Sequence, residues 1–124
     1  MDTPVGRDAL AERIDELGPV AHLVTVASTG RPHVVAVRAA WDGDELVVAA
    51  GRHTSANAVD HPDVSLVWAA PPGQGYSLIV DGTARPRPGA SEPSLAVTPT
   101  RAVLHRTPEG DPAAPSCITV LARD

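Results

Sequence analysis

Between Gly51 and Pro62 stand Arg52, Thr54, Ser55 and Asn57, the last being the chain's one asparagine. A guanidinium fork and neighbouring hydroxyls are groups that hold a phosphate or a carboxylate. Thr54 to Val59 suit a short helix ending before Pro62. These residues therefore open a helix, whose first N–H groups and positive dipole end attract an anion. Ordinary helix capping by Thr54 or Ser55 accounts for the same pattern. Both readings stand on these residues alone.

The remaining reactive side chains point to little chemistry of their own. His22, His33, His53, His61 and His105 form no i, i+4 pair on a helix and no cluster with Cys or carboxylates, so no metal site is expected. Cys117 is the only cysteine, which excludes a disulfide framework and a Cys-rich zinc site. No Ser-His-Asp or Cys-His grouping has supporting context for a hydrolase. All ten basic residues are arginine, and the lack of lysine excludes a Schiff-base lysine and a P-loop. Trp68 either fills a core or stacks on a ligand ring.

Thirteen prolines and ten glycines cut the chain into short elements that must position these groups. Leu10, Ile14 and Leu17 recur at helical spacing, so Arg7–Leu17 reads as a helix stopped by Gly18 and Pro19. Val20–Ala27, His33–Trp41 and Glu45–Ala50 read as strands joined by turns at Ser28–Pro32 and Asp42–Asp44. In the second of them Val35, Val37, Ala39 and Trp41 point one way, and Val34, Ala36, Arg38 and Ala40 the other. Both faces are nearly apolar. One should line a barrel and the other be covered by a helix or a partner chain. Val64–Ala70, Tyr76–Ala84 with a bulge or bend at Gly82, Arg101–Arg106 and Ser116–Leu121 follow as strands. Residues 85–99 and 107–115 read as proline-rich loops. The expectation is an all-β antiparallel barrel of six strands with an N-terminal helix and a short helix after the third strand.

A length of 124 residues fits one domain. A formal charge of −5 and only three aromatics argue against a nucleic-acid binder. No apolar run approaches a membrane span, and the first residues lack a signal-peptide pattern, so a cytoplasmic protein is expected.

Ala21–Val26, Gly30-Arg31-Pro32-His33, Trp41–Leu46, Asn57, Pro62–Leu66 and Asp81-Gly82-Thr83-Ala84 occur in an order and spacing that resembles the pyridoxamine 5′-phosphate oxidase-like split-barrel family. The likeness is strongest over residues 7–84. Residues 1–124 would then form one split-barrel domain, with 107–124 a loop and short C-terminal strand. The resemblance implies a homodimer and a cofactor, flavin mononucleotide (FMN) or the deazaflavin coenzyme F-420, in the cleft between the copies. It further implies redox chemistry on a small-molecule substrate. It maps Val35, Val37, Arg38, Ala49 and Ala50 to the ring and ribityl contacts, and Arg52, Thr54 and Asn57 to the phosphate, with Ser55 alongside and Trp68 as the stacking candidate. The family's phosphate lysine is absent here, since its position is Thr54 or, gapped differently, Ala56. Two alternatives stay beside the oxidoreductase: a non-catalytic binding module on the same barrel, and a haem-handling split barrel.

Overall fold

The computed structural model describes residues 6–71, 75–89, 91–107, 113 and 115–122. Helix α1 (Arg7–Leu17) is followed by strands β1 (Val20–Val26), β2 (Pro32–Asp42) and β3 (Glu45–Ala49). Helix α2 (Arg52–Asp60) leads into β4 (Asp63–Trp68), β5 (Ser77–Pro86), β6 (Ser94–His105) and β7 (Cys117–Leu121). All pairings are antiparallel, in the order β3-β2-β1-β4-β5-β6-β7. A further β3–β6 ladder closes six strands into a barrel. No helix among the described residues is long and apolar enough to cross a membrane.

The interior is aliphatic: Leu23, Leu46, Val48, Leu66, Leu78, Val80, Leu95 and Val97 are fully buried, with Trp68 among them. The helices close the two ends. Leu10 and Ile14 of α1 join the core. Gly18 ends that helix at φ 96°, a left-handed conformation that glycine adopts without steric penalty. The Trp68 indole N–H donates to the Gly18 carbonyl at 3.0 Å, which fixes the helix end on the barrel. At the N-terminal end of α1, Arg7 lies over the Trp41 ring at 4.1 Å and pairs with Asp44 at 2.9 Å. Helix α2 packs on β1 and β5 at the opposite end.

One expectation needs correction. The sixth strand does not begin near Arg101 but at Ser94, with Pro99 inside it. Residues 94–97 pair β3, residues 102–105 pair β7, and Pro99 falls where β6 has β5 as its sole neighbour. A missing N–H costs little where no ladder bond is due on that edge. A bulge does occur at Gly82, but on the facing strand: Asp81 pairs Arg101 and Gly82 pairs Pro99, which leaves Thr100 of β6 as the extra residue. A Cβ at Gly82 would lie 2.6 Å from Val97 Cγ1 and 2.7 Å from the Thr98 carbonyl oxygen. Gly82→Ala is expected to destabilise the barrel by about 1–3 kcal/mol through this overlap, read from urea unfolding midpoints. Wild-type stability in that variant would contradict the close approach. The proline-rich residues 108–112 and 114 of the expected late loop lie outside the described residues.

The barrel seam carries one ionic network. Glu45 on β3 accepts two bonds from Arg85 on β5, at 2.7 and 3.2 Å, and one from Thr98 on β6 at 3.2 Å. The Arg85 hydrogen bond is the main cause holding the Glu45 carboxyl below its ordinary range; burial opposes it. A carboxyl depressed on folding contributes stability that is complete above its unfolded pKa and is lost as pH falls through the folded value. Glu45→Gln is therefore expected to lower Tm at neutral pH and leave it unchanged at strongly acid pH. An equal loss at both would show that the charge is irrelevant.

Candidate functional site

Helix α2 determines where the anion-binding candidates point. Its N-cap is Gly51, and no side chain caps its first turn. Thr54 and Ser55 lie inside the helix rather than at its cap. Ser55 Oγ donates instead to the Ala50 carbonyl at 3.5 Å. The first N–H groups of the helix therefore have no side-chain acceptor, and the dipole end stays open. Arg52, the first helical residue, is exposed, with no hydrogen bond or ion pair among the described residues.

The three residues mapped to phosphate divide. Arg52 points outward. Thr54 is 3% exposed and lies against the barrel end. Asn57 turns its carboxamide inward, and Nδ2 donates to Thr25 Oγ1 at 3.2 Å. Thr25, an inward residue of β1, is fully buried; nothing in the sequence pattern singles it out. His33 stands across from Thr25 on β2, its Nδ1 buried without a partner.

The ring-contact candidates are brought to one place by the early departure of β3. β2 pairs β3 only through Ala39–Asp42, whereas it pairs β1 from Pro32 to Arg38. Once β3 ends at Ala49 and turns into α2, residues 32–38 of β2 have a strand on one side and none on the other. That is the split in the barrel. Continuing the Ala39↔Val48 register puts Ala49 next to Arg38, both exposed, and three residues before Arg52. The Ala39 N–H bonds to the Pro19 carbonyl on the β1 side. By alternation, Val34 and Ala36 turn their backbone N–H and C=O to the open edge. Side chains of Val35 and Val37 face the interior, half-buried and buried, and Ala50 is buried below the α2 entrance.

Trp68 is not part of this arrangement. It is 1% exposed, its indole N–H is taken by Gly18 at the α1 end, and neither ring face is open to a ligand. A tryptophan of that volume at the centre of an aliphatic barrel is held by packing.

Beside the split, the outer face of β1 and β2 is exposed and largely apolar, with His22 and Arg38 among its valines and alanines. Val20 is 49% exposed and Val34 56%, with Ala36 and Ala40 exposed on the same face. Val24 lies directly across from Val34. Among the described residues, no group of three His, Cys, Asp or Glu side chains could hold a metal ion.

No protein-family model matches the chain. Uncharacterised proteins of Mycobacterium bovis (Mb0449c) and Mycobacterium tuberculosis (MT0457) are each 36% identical to it, covering 81% of this chain and 81% of their own. A Clostridium acetobutylicum protein related to general stress protein 26, of the pyridoxinephosphate oxidase family, superposes with a TM-score of 0.68 at 14% identity. That match covers 93% of this chain and 95% of the other. An F420 reductase gives a TM-score of 0.56 at 25% identity, over 68% of this chain and 89% of its own. The haem storage protein HutZ of Vibrio cholerae gives 0.57 at 17%, over 73% and 89%.

Proposed function

We propose that the chain, whose fold is that of split-barrel proteins of the pyridoxinephosphate oxidase family, is a member of that family, binds FMN or the deazaflavin coenzyme F-420 and turns it to redox chemistry on a small molecule. The coenzyme would lie in the split between β2 and the start of α2, and a second copy of the chain would complete the cleft.

The observation that carries this reading is the uncapped first turn of α2 with the unpartnered Arg52 on it, opening beside the free edge of β2. Helix N–H groups and a guanidinium suit a phosphate. The free N–H and C=O groups of Val34 and Ala36 suit the alternating donors and acceptors along a flavin's pyrimidine edge. When bound, either coenzyme supplies the two-electron redox chemistry. The chain's part is to bind it, orient it and exclude water. With no lysine in the protein and Asn57 engaged with Thr25, Arg52 is the one charged phosphate contact on α2, and Arg38 flanks the ribityl region from β2.

The apolar face of β1 and β2 supports the homodimer. Val24, Val34 and Ala36 lie together on that face, and Val20 lies beyond His22 and Arg38, with Val20 and Val34 about half exposed in the single chain. Patches of this kind mark protein interfaces.

Titration of the purified protein with FMN, F-420 and haem, followed by absorbance and fluorescence, tests the reading. Saturable binding of FMN or F-420 at one per subunit is expected. The F420 reductase among the similar structures keeps the deazaflavin beside FMN, and the haem storage protein puts haem in the titration. A Soret band with haem and no response to either redox coenzyme would reject the proposal. Coenzyme binding without turnover of any electron donor would leave a binding module.

A further inference from the structure

We infer that Thr25 and Asn57 form a positioning pair: their hydrogen bond sets the rotation of α2 and thereby aims Arg52 at the phosphate, so Asn57 acts through Thr25 and not as a phosphate ligand. This rests on the coenzyme-binding reading above.

Thr25 and Thr54 are the buried polar residues among those described, and both lie where α2 meets the barrel end. A hydroxyl taken out of water inside an aliphatic barrel is costly unless it finds a partner. Thr25 finds it in the Asn57 carboxamide at 3.2 Å, across 32 residues of sequence. Nothing else on α2 is as directional. The helix has nine residues and no side-chain cap, too short to hold its own conformation without tertiary contacts. The side chains it buries, Thr54 and Ala58, are small and tolerate rotation about the helix axis. Arg52 precedes Asn57 by five residues, roughly 140° around the helix at 3.6 residues per turn. When Asn57 points into the barrel, Arg52 must therefore point out of it.

Coenzyme affinity in Thr25→Val, Asn57→Ala, their double mutant and Thr25→Ser tests the pair. The probes are FMN with riboflavin, which lacks the phosphate, and F-420 with its phosphate-free deazaflavin chromophore. Loss of one buried hydrogen bond should weaken binding of the phosphorylated coenzyme by about 5- to 30-fold in either single variant. The double mutant should be no worse than either single one, because they remove the same bond. Thr25→Ser keeps the hydroxyl and should keep wild-type affinity, and phosphate-free analogues should bind all variants alike. Wild-type affinity in Thr25→Val beside a loss in Asn57→Ala would make Asn57 a direct ligand and overturn the inference. Additive losses, or equal losses for the phosphate-free analogues, would overturn it too. If the wild type binds neither coenzyme, the functional reading fails by itself. Hydrogen exchange then decides on the pair: faster exchange of α2 amides, equal and non-additive in the two variants, upholds it, and unchanged protection overturns it.

Discussion

Arg52→Ala is expected to weaken coenzyme binding by about 10- to 150-fold, the loss of a charge-assisted hydrogen bond of roughly 1.5–3 kcal/mol. The magnitude is large because nothing replaces it. The chain has no lysine, Thr54 is turned to the barrel, and the Asn57 amide is held by Thr25. The uncapped N–H groups of α2 remain in the variant, so residual phosphate binding persists through the helix terminus alone. Arg52→Lys should recover only part of the loss, since the ammonium lacks the planar fork. Arg52 is exposed and has no partner among the described residues, so Tm should not change. Unchanged affinity in Arg52→Ala would move the phosphate site elsewhere.

Val34→Glu is expected to break the proposed homodimer. Val34 is 56% exposed in the single chain, faces away from the barrel interior and lies across from Val24 in the apolar patch. An obligate interface on this face would bury more than about 2,000 Å² in total. A carboxylate forced into it without a partner costs about 3–5 kcal/mol, or about 100- to 5,000-fold in the dimer dissociation constant. Sedimentation should report a wild-type species of twice 12.8 kDa and a variant of 12.8 kDa at micromolar concentration. The variant's barrel should stay folded, because its core is on the other face of β2. Coenzyme affinity should fall along with the dimer, since a second copy completes the proposed cleft. A wild type that sediments as a monomer would remove the basis for this prediction.

Much of the fold is legible in the sequence because it depends on parity and punctuation. The two faces of β2 follow from alternation alone, and α1 begins at Arg7 and stops at Leu17 where Gly18 and Pro19 end it. Pro99 misleads by the same logic. Read locally, a proline forbids a strand, but the cost depends on which neighbour β6 has at that residue, and that is a property of barrel closure. The site follows the same division. Arg52 is visible from its place before a helical run. The open edge of β2 is not, because it exists only once β3 leaves the sheet at Ala49. Thr25 looks like any β-branched strand residue, and its partner is 32 positions away. Trp68 fits a core and a stacking platform equally well by size and aromaticity; only the Gly18 carbonyl and its burial decide.

Sedimentation velocity recorded at both the protein and the coenzyme absorbance bands tests the central claim most directly. With FMN or F-420 present, the coenzyme signal is predicted to travel with a species of twice 12.8 kDa at one coenzyme per subunit, and to leave that boundary in Arg52→Ala. A coenzyme signal that stays with the free small molecule, beside a wild-type protein of intact fold, would contradict the account.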